Sequence, residues 1–334
     1  MSIKKKYFTE ALLLWNVEGN KRIMPWKKEK DPYKIWLSEI ILQQTRVEQG
    51  WDYYNRFIAE YPGIDKLAKA RSEKIFKMWE GLGYYTRCKN LIETARFIAN
   101  EKKGKFPDTY EEIRALKGVG PYTAAAIASF AFNLAHPVID GNVFRVLSRF
   151  FGVQANIQSG KGKKIFETLA DELLDKKTPG IYNQAIMDFG AVICKPKNPV
   201  CKSCPLKTRC VANIKGITDK LPVKNAPIKK RSRWLYYFIV EYNNKFYVRK
   251  RGAGVIWENL FEFVLLETAK RVTVENLKKT PDFRKLTGDN KIEIINSSKL
   301  YKQQLTHQTI QGRFFHLKAK KQMPLNTYKA VSLK

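Results

Sequence analysis

The chain has 334 residues, enough for two domains of ordinary size, and its 44% hydrophobic and 28% charged residues are the proportions of a soluble globular protein. Lys and Arg outnumber Asp and Glu by 62 to 31, and a formal charge of +31 seeks anions, with a nucleic-acid backbone first among them. No apolar run reaches the length of a membrane span, and the cysteines are not spread as a disulfide framework, which fits a reducing cytoplasm.

The opening stretch MSIKKKYFTEALLLWNVEGN is expected to form an amphipathic helix. It is a poor signal peptide, because its apolar core is short, Glu10 interrupts the approach and no small-residue cleavage site follows. From there to about residue 212 the pattern is helical. DPYKIWLSEIILQQTRV offers Asp31 as an N-cap and Pro32 at the first helical position. Within it Glu39 lies on an otherwise uncharged turn, where burial would raise its pKa and keep it protonated enough to donate; an exposed helix glutamate is the default alternative. YEEIRALKGVGPYTAAAIASFAF is two helices broken by Gly118 and Gly120, with Pro121 starting the second. Glycines there let the backbone turn sharply, and the free N–H groups of the next helix can face a phosphate. IDGNVFRVLSRFF sets Asp140 before a helix whose Val143, Val146, Leu147 and Phe150 recur at helical spacing. An aspartate in that place is most simply a cap.

ICKPKNPVCKSCPLKTRC holds Cys194, Cys201, Cys204 and Cys210 at the spacing C-x6-C-x2-C-x5-C. Lysines and prolines surround them, so a metal site fits better than four core thiols. Zinc sites usually present two close pairs and this run has one, while iron–sulfur clusters take four thiolates at other spacings; the spacing leans to iron–sulfur and leaves zinc open. Cys88 stands apart as a small core residue. Residues 213–233, polar with two prolines and a final burst of charge, are expected to be a linker. The period then changes. WLYYFIVEYNNKFYVRKR is a hairpin around Asn243-Asn244, and LFEFVLLE, KIEII, YKQQLTHQTI and RFFHLKAK are further strand-like runs, so 234–334 is an α+β domain rich in sheet.

The cysteine loop closing a helical domain resembles the 4Fe–4S loop of the endonuclease III superfamily of DNA glycosylases, and LKGVGPYTAAA resembles its helix–hairpin–helix. MPWKKEKDPYKIWLSEIILQQTRV, GLGYYTR, GVGPYTAAAI, VIDGNVFRVLSRF and NQAIMDFGAVIC follow one another as in the adenine DNA glycosylases of the MutY type, over residues 10 to 210. The resemblance implies an all-α endonuclease III-like catalytic domain over 1–212 with one 4Fe–4S cluster on the four cysteines, the linker 213–233 and a Nudix-like domain over 234–334. It implies removal of adenine opposite 8-oxoguanine or guanine in double-stranded DNA by a cytoplasmic monomer, at the nucleoid in a bacterium. A glycosylase acting on thymine or uracil opposite guanine, and a catalytically silent DNA-binding protein, are the rival expectations.

By the same likeness Glu39 is the general acid at adenine N7, and Asp140 is the carboxylate facing the sugar, with Tyr122 and Asn142 orienting Asp140 and the reacting centre. Strand-cutting relatives carry lysine where Tyr122 stands, and a phenol cannot form their Schiff base, so no efficient strand cleavage is expected. Gly118 and Gly120 are expected to meet DNA phosphate. Leu42, Gln44, Leu82 and Tyr84 are expected at the gap and the opposing strand once the base is flipped out, and Trp26, Lys27 and Gln184 are expected to line the adenine pocket. The family usually has arginine where Lys27 stands, and lysine lacks the planar fork. Thr306 and His307 fall where the family has a Ser-His pair near the oxidised guanine, and the glutamate-rich box of true Nudix hydrolases is absent, so no pyrophosphatase activity is expected.

Overall fold

In the computed structural model, which describes residues 2–226, 230–252, 254–258, 260–288, 292–305 and 307–332, Ser2 caps α1 (Ile3–Glu18) and the helix buries Phe8, Leu12 and Trp15 on one face. Asp31 caps α2 (Pro32–Leu42), its carboxylate accepting from Tyr33 N at 2.9 Å, with Pro32 at the first position as expected. Next come α3 (Val47–Glu60), α4 (Ile64–Lys69), α5 (Ser72–Trp79) and α6 (Tyr85–Glu101). They close with α2 on a first core that includes Trp36, Phe57 and Trp79. The hairpin helices are α7 (Tyr110–Ala115) and α8 (Pro121–Phe132). Beyond them α9 (Gly141–Phe151), α10 (Gly160–Leu173) and α11 (Pro179–Val192) join α1 around a second core that includes Phe8, Phe150, Phe166 and Phe189. The short α12 (Val211–Ile214) follows the cysteine loop.

Helix α8 is the partition. Ala124, Ile127 and Ala128 belong to the first core, while Ala125 and Ala126 belong to the second. A helix apolar on all sides is buried on all sides, and alanines let both cores approach closely. Whatever stands at the start of α8 therefore lies at the seam of the two cores.

The chain divides into two compact units at Asn225/Ala226. Residues 213–225 pack on the first unit: Arg149 Nε donates to Thr218 O at 2.8 Å and Leu221 O at 3.2 Å, and Ile157 N donates to Val223 O at 3.1 Å. With the second unit's first strand beginning at Arg231, the connecting stretch is shorter than the 213–233 span taken from composition. Its polar residues masked the apolar anchor Leu221, which is buried.

The second unit is a mixed sheet. Strands β1 (Arg231–Tyr242) and β2 (Lys245–Lys250) turn through Asn243 and Asn244 at φ 48° and 57°, the left-handed pair that matches strand twist in a two-residue hairpin. β3 (Phe261–Thr268) is followed by α13 (Val274–Lys278), α14 (Pro281–Thr287), β4 (Ile292–Ser297), β5 (Tyr301–Gln304), β6 (Gln308–Ala319) and β7 (Lys329–Ser332). The order is β4-β6-β1-β3-β2-β7, with β5 also on β6 and the β1–β6 pair parallel. Tyr236, Phe238 and Val240 share a core with Leu277 of α13 and Phe283 of α14, while Leu235 and Tyr237 belong to a smaller cluster, the alternation of a strand buried on both faces.

Two expectations change here. The run YKQQLTHQTI gives β5 ending at Gln304, and its last residues join RFFHLKAK in β6 from Gln308, because Gly312 is a ladder position opposite Leu235 and not a break. Helices α13 and α14 went unread, although Thr273 and Thr280 cap them and Pro281 starts the second. Among the described residues no helix is long and apolar enough to cross a membrane.

Candidate active site

Three side chains converge at the seam. Glu39 comes from α2, Tyr122 from the first turn of α8 and Asp140 from the cap of α9. Glu39 is only 7% exposed. Burial lifts its pKa to about 7, a hydrogen bond with Tyr122 holds it back and the nearby charge of Asp140 adds to the rise. Asp140 is a true N-cap: one oxygen accepts from Asn142 N and Val143 N, both at 2.8 Å, and the other accepts from Asn142 Nδ2 at 2.6 Å. Burial pushes its pKa up as well, and these three bonds and the charge of Arg145 oppose the push. Glu39 thus keeps a share of its protons near pH 7, while Asp140 is surrounded by donors that favour its carboxylate form, the division of labour that glycosidic chemistry needs. Burial and the two acids hold the Tyr122 phenol well above its usual pKa, so it stays protonated; its hydroxyl also lies 3.4 Å from Met187 Sδ.

Asn142 is fixed in turn. Its Oδ1 accepts from Arg145 Nη2 at 2.8 Å, and the same guanidinium donates to Gly190 O at 2.7 Å and Cys194 O at 2.7 Å. Gly190 is required here, since a Cβ would stand 2.6 Å from Asn142 Cβ. One turn along α9, Arg149 Nη1 donates to Lys195 O at 2.7 Å and contacts Cys194 Sγ at 3.4 Å. Sequence reasoning missed both arginines. They stand at i and i+4 on the face of α9 away from Val143, Val146, Leu147 and Phe150, where a pair of cations reads as a solvated surface.

The four cysteines line one partly open pocket, together with apolar residues that include Val146, Phe150, Phe189 and Leu206. Among the described residues no group of three His, Cys, Asp or Glu is arranged to hold a metal ion. Burial pushes the Cys204 thiol up to about 12 and those of Cys201 and Cys210 upward too. Four thiolates in such surroundings need compensating positive charge, which a metal centre supplies, so the donor set fits one.

Lys27 and Gln184 meet at a carboxylate that sequence reasoning did not single out. Asp188, fully buried in α11, accepts from Gln184 Nε2 at 2.9 Å, Arg22 Nη1 at 2.8 Å and Asn20 Nδ2 at 2.9 Å, and pairs with Lys27 Nζ at 3.0 Å. The charge of Arg22 acts on Tyr122, which links this cluster to the seam. Its signal was one acid in the apolar run NQAIMDFGAVIC. The Trp26 ring packs on Trp51 and Tyr54, at centroid distances of 6.3 and 5.3 Å.

At the hairpin, Gly118 has φ +81° and a Cβ would stand 2.9 Å from Asn90, so glycine is required. Gly120 has φ −91° and open space around its Cβ direction; it leaves the N-terminus of α8 uncovered and does not make the turn. Gln43 Nε2 reaches Gly118 O at 3.5 Å and Thr123 Oγ1 at 3.4 Å, tying the end of α2 to the hairpin. Gln44 and Tyr84 are exposed and both left-handed, at φ 56° and 48°. Leu42 is half-buried at the end of α2. Leu82, by contrast, is 5% exposed within the first core, so it braces its loop and is not presented to a gap. His307 is exposed between β5 and β6, and Thr306 lies outside the described residues.

Residues 37–174 match the HhH-GPD superfamily of base excision DNA repair proteins. The chain is 36% identical over 292 residues to the adenine DNA glycosylase of Buchnera aphidicola subsp. Schizaphis graminum, covering 87% of this chain and 82% of that protein. It is 40% identical over 223 residues to the adenine DNA glycosylase of Homo sapiens, covering 64% of this chain and 41% of the human protein. Among solved structures, a thermostable thymine-DNA glycosylase superposes with a TM-score of 0.58 at 30% identity, over 64% of this chain and 97% of that one. An endonuclease III–DNA complex superposes with a TM-score of 0.54 at 19% identity, over 65% of this chain and 99% of that one, a likeness of fold.

Proposed function

The chain belongs to the adenine DNA glycosylases, base excision DNA repair enzymes that bind DNA and remove adenine from it, and we propose that its substrate is adenine opposite 8-oxoguanine or guanine and that it leaves the strand uncut. The arrangement that supports this chemistry is the proton-bearing Glu39 and the hydrogen-bonded Asp140, set on helices of different cores with Tyr122 between them. Glu39 gives its proton to adenine N7, the C1′–N9 bond breaks and its electron pair leaves with the base. The Asp140 carboxylate stabilises the positive charge left on the sugar, as an ion partner or through a transient bond to C1′, until water adds there and gives up a proton that restores Glu39. Asn142 aims that carboxylate. Tyr122 offers no amine, so the sugar is not captured as an imine and the backbone is not eliminated.

Extruding the base leaves a gap, which Leu42, Gln44 and Tyr84 enter from their two loops, with Leu82 bracing the second. Trp26, Lys27 and Gln184 line the pocket for adenine, and Gly118 and Gly120 bring the start of α8 to a phosphate. The second unit, Nudix-like, meets the oxidised guanine through Thr306 and His307. The enzyme acts as a monomer wherever the cell keeps its DNA.

Cys194, Cys201, Cys204 and Cys210 hold one 4Fe–4S cluster, whose iron compensates the buried thiolates and fixes the loop that Arg145 and Arg149 grip. Purified protein is expected to be brown, with iron and acid-labile sulfide in equal amounts; a colourless, active, zinc-bearing protein would exclude the cluster.

The substrate is tested with defined duplexes carrying A·8-oxoguanine, A·G and T·G, each split into alkali-treated and untreated samples. Adenine loss from the first two, revealed as breaks only after alkali, is the expected result. Release of thymine from T·G with intact A·8-oxoguanine, or breaks without alkali, would overturn the proposal.

A further inference from the structure

Arg87 is a cation buried without a counter-charge. It is 8% exposed, and among the described residues its bonding partners are carbonyls, one hydroxyl and two aromatic rings, with no carboxylate. Nη1 donates to Ile40 O at 2.9 Å and Ile41 O at 2.7 Å, two of the carbonyls a helix leaves unpaired in its last turn. That end of α2 carries the negative pole of the helix dipole, which gives the charge its main electrostatic partner. Nη2 reaches Thr45 Oγ1 at 3.2 Å and the carbonyls of Leu82 and Gly83, both at 3.4 Å. The guanidinium carbon lies 5.3 Å from the Trp79 ring centroid and 5.3 Å from that of Tyr84. A single side chain therefore binds both ends of the Leu42–Thr45 loop and the whole Leu82–Tyr84 loop.

The two loops also share a backbone feature. Gln44 and Tyr84, non-glycine residues, occupy left-handed conformations that persist only where the surroundings fix them. A buried guanidinium with no anion is costly, and an apolar side chain of similar volume would fill the space more cheaply. What an apolar residue cannot do is hold five acceptors from the end of α2 and the two loops at once.

We propose that Arg87 is a positioning residue for base extrusion: it clasps the Leu42–Thr45 and Leu82–Tyr84 loops into one rigid wedge, so that both enter the duplex together when adenine is turned out. This rests on the proposed entry of Leu42, Gln44 and Tyr84 into the gap. Without the clasp the loops part, DNA is still held by its phosphates, and extrusion fails.

The test compares the full-length protein with Arg87→Met, which keeps the stem, and Arg87→Lys, which keeps the charge without the fork. Extrusion is read from the fluorescence of 2-aminopurine placed beside the target adenine, on both A·8-oxoguanine and A·G duplexes, with thermal melting and duplex affinity measured in parallel. Arg87→Met is expected to bind within a few-fold of the parent and to lose about tenfold or more of the fluorescence rise rate and of single-turnover adenine release, the scale of a lost charged hydrogen bond. Arg87→Lys is expected to recover part of that loss. Parental extrusion in a folded Arg87→Met protein sinks the proposal. If Arg87→Met does not fold, Arg87→Lys decides: parental extrusion refutes the clasp, and slowed extrusion at parental melting temperature supports it. A parent enzyme indifferent to 8-oxoguanine would overturn the substrate proposal alone, because extrusion is still read on A·G.

Discussion

Glu39→Gln is expected to destroy adenine release and, above pH 7, to make the protein more stable. The amide matches the carboxyl in size and can still bond Tyr122, but it has no proton to give, so release should fall by about 10² to 10⁴, the usual span for a positioned general acid. Duplex affinity should hold. The stability gain follows from linkage. The buried Glu39 carboxyl titrates at about 7 against its ordinary 4.5, so the folded state keeps a proton that the unfolded chain has already released. Stability contributed by the neutral acid is complete below about pH 4.5 and is lost as pH rises to about 7, for a total of about 3 kcal/mol. The glutamine protein lacks this loss. Thermal melts of the two proteins should coincide near pH 5 and separate by pH 8, with the variant higher. In the parent, kcat/KM should decline as pH passes about 7. Melting curves equally spaced at both pH values would mean that Glu39 is not perturbed, and its role as the acid would fall with them.

Much of this site was legible because its residues sit at places where local rules already constrain the chain. Asp31 and Asp140 announce helix starts, and the structure makes both of them caps; in the proposed reaction Asp140 serves with the very oxygens that cap the helix. Asn243-Asn244 announces a two-residue hairpin, and β1 and β2 follow. Sequence could not supply side chains whose partners are distant backbone. Arg87, Arg145 and Arg149 bond mainly to carbonyls, and a carbonyl carries no residue identity to match. The same holds for Gly312, which looks like punctuation until a parallel partner strand is laid beside it. Leu82 shows another limit: motif position places it near the expected gap, while only packing tells that its side chain is buried in the first core. Polar groups that answer to near neighbours were readable, and those that answer to the fold were not.

Asp188→Asn is expected to cost about 3 to 5 kcal/mol of stability, the scale for removing one partner of a buried ion pair, and to disorder the proposed adenine pocket together with it. The carboxylate is wholly enclosed, and its two oxygens divide their partners: one accepts from Arg22 and Gln184, the other from Asn20 and faces Lys27. An asparagine has the same outline but offers one acceptor and turns an NH₂ toward cations. Arg22 or Lys27 then loses its bond, and both lose the compensating charge. Lysine suits this arrangement, because its point charge needs only one oxygen and leaves the other to Arg22, whereas a second planar fork would compete for both. Lys27 is also tethered by its bond to Arg22 O at 2.9 Å, so the two cations depend on one another as well as on the acid. Urea melts should show a lower midpoint with an unchanged slope, since the surface exposed on unfolding is the same. Raising the salt concentration should not narrow the difference, because enclosed pairs are little screened. At a temperature where the variant is folded, adenine release at saturating duplex should still be slowed, for Gln184 and Lys27 are no longer held in place. An Asp188→Asn protein as stable as its parent would show that solvent reaches the cluster, and the enclosed carboxylate would cease to be the organiser of the pocket.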